Sequence, residues 1–443
     1  MKHKTDLINK KVMPRKPFQS FVFFSAFFFS LFISNSLYAK SGGSIYNIID
    51  FGAVPDGNTI NTHAIQKAIE TCAENGGGTI LIPEGAFLSG AVFLKQGVNL
   101  HIAEKGILKG TTRMADYPAV KTRWEGIERD WTSAFINAFD MEDVTIDGKG
   151  TIDGSGGKWV DEAKEAGPRI NKGVKPTAEE IRQRIGRPRL MAVQNCKNVT
   201  ISGLHIRNQA CWGVFVLYSH NVRINGLSIK ARHDIPMSDG IDIDSSTGVT
   251  ISKCAIDVND DCIAIKSGKD EDGRRVNKPA EDIIVEKCDL QYGHGGVSMG
   301  SEMSGGIKNV LVRDCVVEAD NWAPVRFKSQ PSRGGVVENI TYRNLVLKNT
   351  RKAFEFNMEW RMVNPSPPSD PLPVVRNVKI INVRGTVGTV GDMHGLDESP
   401  IRNVEFKNCH IKAKTGFKID NIEDIDLSGL SIEVEKGPKI IRD

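Results

Sequence analysis

A short sequence pattern recurs from Asp143 to the C-terminal region of the chain. Each copy has a polar or glycine turn residue followed by V/I-x-I/V/L/F/Y-x-x-C/L-x-I/V/L. Copies begin at Asn198, Asn221, Gly248, Asp282, Asn309, Asn339, Asn377, Asn403 and Asp424, with a slightly longer copy at Asp143. From Val199 onward the first apolar positions are 23, 27, 34, 27, 30, 38, 26 and 21 residues apart, which indicates loops of different length between similar strands. Units this short cannot bury an apolar face alone, so they must stack on one another.

Stacked strands without helical patterns between them predict an all-β fold. We interpret residues 40–443 as one domain, a single-stranded right-handed parallel β-helix (solenoid). A β-propeller is the alternative, but it would need units of even length, with about 40 residues and four strands each.

Two segments depart from the repeat. Asn61 or Thr62 can begin a helix that runs to about Ala73, and its apolar face fits an N-terminal cap on the open end of the solenoid. Residues 154–187 are polar and charged, and we interpret them as an inserted excursion near the cleft that is helical from Thr177 to Ile185.

The N-terminus has the features of a secretory signal peptide. A basic segment precedes the 13-residue apolar run Phe21–Ile33, and small residues lead to Leu37-Tyr38-Ala39. We therefore expect residues 1–39 to be cleaved and the protein to be secreted or periplasmic. A membrane anchor would need about 18 or more apolar residues.

The net charge of +4 belongs to this N-terminal segment. Residues 1–39 hold six Lys or Arg and one acidic residue, which leaves the rest of the chain at about −1. Nucleic acid, which needs a basic surface, is therefore not an expected partner. We expect no membrane association after cleavage and a monomeric protein.

Four of the eight cysteines occupy one repeat position. Cys254, Cys288, Cys315 and Cys409 lie where other copies have leucine, so we interpret them as inward-facing apolar fillers. A disulfide between adjacent coils is the alternative. We expect no catalytic cysteine.

Polar side chains concentrate between residues 237 and 328. When the apolar cores Ile241–Ile243, Ile263–Ile265, Val297–Met299 and Val325–Phe327 are aligned, the preceding positions carry Asp239, Asp260, Asp261, His294 and Trp322. On neighbouring coils these side chains would converge with Arg326 and Lys328 on one strip. Asp-Asp and Asp-Gly pairs are also common in turns, so the site prediction depends on their shared register. Asp242 and Asp244 are interpreted as solvent-facing strand residues.

The order of these motifs resembles glycoside hydrolase family 28, the polygalacturonases and related pectin hydrolases. The family signatures N-T-D, D-D, G-H-G and R-I-K correspond to Met237-Ser238-Asp239, Asp260-Asp261, Gly293-His294-Gly295 and Arg326-Phe327-Lys328. Met237 stands where the family has asparagine. The resemblance runs from about residue 45 to the C-terminus.

The resemblance implies a role for each matching residue. Asp260 resembles the general acid, Asp239 and Asp261 resemble the pair that activates water, and His294 would keep the acid protonated. Arg326 and Lys328 would bind a galacturonate carboxylate. Secondary candidates for substrate binding are Lys266, Asn208, Gln209, Trp212, His233 and Trp322. Packing inside the protein is an equal alternative for the tryptophans.

The resemblance also implies an inverting hydrolase that uses no metal or other cofactor and acts on pectic polysaccharide or oligogalacturonide. The loop Lys266–Ile283 resembles the extended loop of exo-acting members, which favours release of terminal galacturonate over endo cleavage. Rhamnogalacturonan and xylogalacturonan remain alternative substrates. A Ca²⁺-dependent pectate lyase would need an acidic ion site, and a noncatalytic glycan-binding solenoid would not need paired aspartates beside a histidine.

Overall fold

The computed structural model describes residues 43–171, 186–318, 320–361 and 366–442. Residues Gly43–Asp443 form one compact unit. The predicted signal peptide and the predicted helix Thr177–Ile185 lie outside the described residues. None of the described helices is long and apolar enough to cross a membrane.

Strands dominate the described chain. Strands β1 to β12 are Ser44–Asn47, Asp56–Ile60, Gly78–Ile82, Gly85–Ser89, Val92–Phe93, Val98–Ile102, Gly106–Gly110, Ala119–Trp124, Ile127–Thr132, Ile136–Phe139, Glu142–Gly148 and Thr151–Asp153. Strands β13 to β24 are Met191–Gln194, Lys197–Ser202, His205–Arg207, Val214–Leu217, His220–Asn225, Ser228–Lys230, Ile241–Asp244, Thr247–Ser252, Ala255–Asp257, Asp261–Lys266, Ala280–Glu286 and Asp289–Leu290. Strands β25 to β35 are Gly295–Met299, Ile307–Arg313, Val316–Val317, Val325–Lys328, Val336–Asn357, Val374–His394, Ile401–Lys407, Cys409–Asp420, Ile422–Asp426, Leu430–Val434 and Ile440–Arg442.

The described helices are few. They are α1 (Thr62–Glu74), α2 (Gly156–Asn171) and α3 (Asp270–Val276), with two short 3₁₀ turns at Ile48–Phe51 and Met114–Asp116.

Nearly all described strands join a single sheet of 33 strands, whose pairings are parallel; β8 and β9 form a separate antiparallel hairpin. Each strand pairs with its counterpart in the next coil, so the sheet consists of three stacks. One contains β11, β14, β17 and β20, a second contains β12, β15, β18 and β21, and the third contains β16, β19, β22, β25 and β28. The predicted parallel β-helix is therefore confirmed.

The repeat seen in the sequence coincides with the register of the first stack. Its first apolar positions pair in sequence order: Val144, Val199, Val222, Val249, Ile283, Val310, Ile340, Val378, Val404 and Ile425. Most of these side chains are fully buried. Because side chains alternate along a strand, this register turns the same apolar positions of every coil into one continuous core.

The first residue of each repeat has a left-handed backbone and lies near the start of its strand. Asn198, Asn221, Asn309 and Asn339 have φ between 54° and 59°, a region that asparagine tolerates better than most residues. Their side chains also bond from coil to coil, with Asn221 Nδ2 2.7 Å from Asn198 Oδ1. This explains why the repeat begins with asparagine in most copies.

Helix α1 packs against β1, β3, β5 and β6 at the N-terminal end of the solenoid, as expected for a cap. Its buried face is Ala64, Ile65, Ala68, Ile69 and Cys72. Asn61 precedes the helix, but its side chain bonds Val54 N and Thr59 O and makes no capping hydrogen bond.

All eight cysteines are buried and none forms a disulfide. Cys254, Cys288 and Cys315 follow successive strands of the first stack and are at most 2% exposed. Their interpretation as apolar fillers agrees with this placement.

Candidate active site

The third strand stack brings the four polar segments together. Ile241, Ile263, Val297 and Val325 are successive cross-strand partners, which is the alignment inferred from the sequence. Residues in and next to these strands line one pocket of about 200 Å³. It is lined by Glu125, Trp212, Met237, Asp239, Asp260, Asp261, Lys266, His294, Ser301, Glu302, Arg326, Lys328 and Trp360.

Eight of the twelve candidate residues therefore share one pocket. They are Asp239, Asp260, Asp261, His294, Lys266, Trp212, Arg326 and Lys328. Each of the three aspartates offers an oxygen atom within 4.8 Å of the others.

Asp261 is surrounded by donors. Lys328 Nζ lies 2.5 Å from Oδ2, and Arg326 Nη1 and Ser298 Oγ donate to Oδ1 at 3.2 and 2.8 Å. Burial acts to raise the pKa of Asp261, but Lys328 and Arg326 outweigh it and hold this pKa well below its usual range. Asp261 is therefore a carboxylate near neutral pH.

Gly295 makes room for this cluster. A Cβ atom there would lie 2.2 Å from Ser298 Oγ and 2.5 Å from Asp261 Oδ1. The glycine is thus required by the close approach of the carboxylate from the neighbouring strand.

The pKa of Asp239 is shifted in the opposite direction. Burial, together with the neighbouring Asp242 and Asp260 carboxylates, raises its pKa well above the ordinary value, although Lys266 at 3.6 Å opposes the shift. The clustered carboxyl groups titrate as a unit. The raised pKa favours the protonated form of Asp239 over that of Asp261.

Asp260 is the most accessible of the three aspartates. Its side chain is 28% exposed, whereas those of Asp239 and Asp261 are 5% and 2% exposed. Burial acts to raise the pKa of Asp260, but the contact with His294 and the charge of Lys328 together outweigh it and leave this pKa lowered. His294 Nδ1 lies 3.4 Å from Asp260 Oδ1, and its side chain is half exposed. The expectation that His294 keeps Asp260 protonated stays a prediction, which this lowered pKa does not support.

The interpretation of Asp242 and Asp244 as solvent-facing was wrong. Asp242 is fully buried and Asp244 is 1% exposed. Lys266 Nζ lies 2.9 Å from Asp242 Oδ1, and Arg123 Nη1 donates to Asp244 Oδ1 at 2.6 Å. Both outward positions are covered by other parts of the chain, which a strand pattern alone does not reveal. Burial raises the pKa of Asp242 to about 6.

Four candidates lie away from the pocket. Gln209 is buried, and its Nε2 donates to the carbonyl oxygens of Ser238 and Asp239, so it supports the turn that carries Asp239. Asn208 Nδ2 lies 3.5 Å from Asp153 Oδ2.

The other two contact neighbouring side chains. His233 stacks on Tyr292, with ring centroids 3.8 Å apart, and its Nε2 lies 2.6 Å from Asp257 Oδ1. Trp322 donates from Nε1 to Glu355 Oε1 at 3.0 Å.

Five pocket residues were not identified from the sequence: Glu125, Met237 as a lining residue, Ser301, Glu302 and Trp360. Trp360 follows β29 and covers the pocket cations, with its ring 4.8 Å from the Arg326 guanidinium carbon and 5.6 Å from Lys328 Nζ. Glu302 belongs to the Gly300–Gly306 turn after β25, whose glycines were the available signal.

The hairpin β8–β9 forms one wall of the pocket. Glu125 lies at its turn, and Trp124 stacks on Trp212 with ring centroids 5.2 Å apart. Arg123, fully buried, ties the hairpin to Asp244. The hairpin therefore packs against the region of β16 and β19.

The loop Lys266–Ile283 supports this wall. Of its residues only Lys266 lines the pocket. Lys269 N donates to Gly126 O at 2.9 Å, and Glu128 N donates to Asp272 Oδ2 at 2.9 Å. The loop packs behind the hairpin, and no described residue of the excursion 154–187 lines the pocket.

The aspartate cluster meets the distance requirement of a metal site, but its surroundings do not favour one. Ca²⁺ takes six to eight oxygen ligands and favours ionised carboxylates. Lys328, Arg326 and Ser298 occupy the oxygens of Asp261, and the raised pKa of Asp239 disfavours its ionised form. A divalent cation would have to displace these groups.

Comparisons with known proteins agree with the fold. The family model described as glycosyl hydrolases family 28 matches residues 72–431. The crystal structure of a hyperthermoactive exopolygalacturonase from Thermotoga maritima superposes with a TM-score of 0.74 at 31% identity, covering 86% of this chain and 92% of that one.

Two curated relatives are similar along most of this chain. A probable polygalacturonase from Vitis vinifera is 28% identical over 410 residues, covering 88% of this chain and 79% of that protein. An exo-poly-alpha-D-galacturonosidase from Dickeya chrysanthemi is 29% identical over 340 residues, covering 70% of this chain and 56% of that protein.

Proposed function

The chain belongs to glycosyl hydrolases family 28, and we propose that it hydrolyses α-linked galacturonic acid residues of pectin by acid/base catalysis. The observation that carries the proposal is the pocket itself, where a carboxyl group with a raised pKa and one with a lowered pKa lie beside Arg326 and Lys328. Glycoside hydrolysis needs one carboxyl group in each charge state. The two cations favour an anionic sugar such as galacturonate.

We assign the proton transfers from exposure and charge. Asp260 is the general acid, because its side chain is the most exposed of the three aspartates. The proton that the raised pKa of Asp239 favours on that group passes to Asp260 and then to the leaving oxygen. Asp239 and Asp261, both ionised at that point, receive the proton of the attacking water. The cluster thus begins and ends the reaction with one proton.

We propose that the reaction inverts the anomeric centre, as the family resemblance implies. The separation of the carboxyl groups does not by itself support inversion. Inverting enzymes usually have carboxyl groups about 6.5–9.5 Å apart, whereas the nearest oxygens here lie within 4.8 Å.

The wall formed by the hairpin β8–β9 supports exo action. A groove closed at one side holds a chain end more readily than the middle of a polymer. Two of the compared relatives are exo-acting by name, which favours the same mode. We therefore propose release of terminal galacturonate, with endo cleavage as the alternative that product analysis distinguishes.

We further propose that the protein is exported, with cleavage after Ala39, and acts as a monomer on pectic polysaccharide or oligogalacturonides. The basic and apolar composition of residues 1–39 supports export.

Chromatography of products from defined oligogalacturonides tests the function. We expect early release of monogalacturonate, no absorbance of an unsaturated product, and the same rate with calcium or EDTA. Products of intermediate length at early times would contradict exo action. An unsaturated product would indicate a lyase, and no cleavage of any galacturonide would contradict the proposal. Rhamnogalacturonan and xylogalacturonan fragments tested in parallel define the preferred backbone.

A further inference from the structure

Glu355 lies beside Arg326 on the neighbouring strand. The two residues are cross-strand partners in β28 and β29. Arg326 Nε donates to Glu355 Oε2 at 2.6 Å. Glu355 is 4% exposed and does not line the pocket, so it touches the site only through other side chains.

The other oxygen of Glu355 is also occupied. Oε1 accepts hydrogen bonds from Trp322 Nε1 at 3.0 Å and from Lys352 Nζ at 2.7 Å. Burial acts to raise the pKa of Glu355, but Arg326 and Lys352 outweigh it and leave this pKa lowered. A buried carboxylate with three donors is held in one position.

This position determines the orientation of Arg326. A guanidinium group is planar with its donors in a fixed fork. When Nε is bound to Glu355, Nη1 lies 3.2 Å from Asp261 Oδ1. Nη2 takes part in no hydrogen bond among the described residues, so it is the nitrogen available to a ligand in the pocket that Arg326 lines.

We propose that Glu355 is a positioning residue that, through Arg326, sets the preference of the enzyme for galacturonate with a free carboxylate over its methyl ester. The inference rests on the proposed function. Without Glu355, Arg326 keeps its charge but loses the contact that fixes its Nε, and it turns further toward Asp261. Its Nη2 then no longer meets a substrate carboxylate in the right geometry.

The test compares kcat/KM for oligogalacturonides of one length with free or fully methyl-esterified carboxylates. We expect the unaltered enzyme to prefer the free acid at least tenfold. Glu355→Gln should lower this ratio at least fivefold, mainly through a higher KM for the free acid. Glu338→Gln on the same strand is the matched control, because Glu338 pairs with Arg376 in a more exposed setting; it should leave the ratio unchanged.

A double substitution identifies the route of the effect. If Glu355 acts through Arg326, Glu355→Gln should change the ratio little in an Arg326→Lys background. If Glu355→Gln does not fold, Lys352→Gln, which removes another Glu355 partner, should lower the ratio in the same direction.

The outcomes separate the two proposals. An unaltered enzyme with no preference for the free acid would count against the proposed substrate. A preserved preference in both Glu355→Gln and Lys352→Gln, or an equal fall for both substrates, would overturn the role of Glu355.

Discussion

Lys328 Nζ lies 2.5 Å from Asp261 Oδ2, and both side chains are at least nine-tenths buried. This ion pair, with Arg326 on the other oxygen, lowers the pKa of one aspartate of the cluster, while burial and nearby carboxylates raise the pKa of its neighbour Asp239. Asp239 and Asp261 carry the same carboxyl group, but their different neighbours shift the two pKa values in opposite directions. Glycoside hydrolysis requires carboxyl groups that differ in this way.

Lys328→Gln removes the strongest of these contacts. The pKa of Asp261 should rise, so the acidic limb of the pH profile of kcat/KM should move to higher pH. Because breaking a buried pair costs about 3–5 kcal/mol of folding stability, we also expect a lower melting temperature. The value of kcat/KM at neutral pH should fall, because a cation proposed to bind the substrate carboxylate is lost. Lys348→Gln is the control, since Lys348 pairs with Glu318 at the surface. An unchanged acidic limb would show that Lys328 does not hold Asp261 ionised.

Asp260→Asn should remove the proton donor while preserving the fold. General acid catalysis contributes about 10²–10⁴-fold, so kcat should fall by about that factor with little change in the melting temperature. Asp282→Asn makes the same chemical change at an exposed turn that accepts a bond from Asn309 and should remain active. Full activity of Asp260→Asn would exclude this residue as the acid.

Asp239→Asn should stabilise the protein at neutral pH and abolish activity. The folded-state pKa of Asp239 is raised, so the native protein binds more protons than the unfolded chain above the ordinary carboxyl pKa. Its stability therefore falls as pH rises from about 4 toward the folded pKa. The variant lacks this penalty. Thermal unfolding at pH 7 should show a higher melting temperature than the unaltered protein, with the difference vanishing near pH 3. A lower melting temperature at pH 7 would contradict the raised pKa.

Arg123→Met should loosen the hairpin wall. It leaves Asp244 buried without its partner, which costs about 3–5 kcal/mol. We expect a lower melting temperature and, among early products, oligogalacturonides in addition to the monomer. Arg129→Met, on the exposed side of the same hairpin, should change neither property. Monomer as the sole early product of a folded Arg123→Met variant would mean that this ion pair does not maintain the wall.

The stereochemistry of the first product can be read by proton NMR. Cleavage of an α-linked galacturonide by a single displacement should release the β anomer first, followed by mutarotation. The α anomer as the initial product would indicate retention, which the short distance between carboxyl oxygens would then explain.

The amino-acid sequence determined the solenoid and much of the pocket. The strand positions follow from a local rule, the alternation of apolar side chains, and asparagine marks the left-handed turns. Once the apolar cores of Ile241, Ile263, Val297 and Val325 were in register, eight of the twelve site candidates came together, because parallel pairing brings equivalent positions of successive coils side by side.

Only the tertiary structure decided which parts of the chain cover the polar side chains of the pocket. Arg123 contacts Asp244, which lies 121 residues later in the sequence. Trp360, which follows β29, contacts Arg326 in β28. Such contacts depend on the paths of the loops, and loop sequences have no repeating pattern. The burial of Asp242 and the position of the pocket wall could therefore not be predicted from the strand pattern. The charge states of Asp239 and Asp261 likewise depend on which cations the folded chain places beside each carboxyl group.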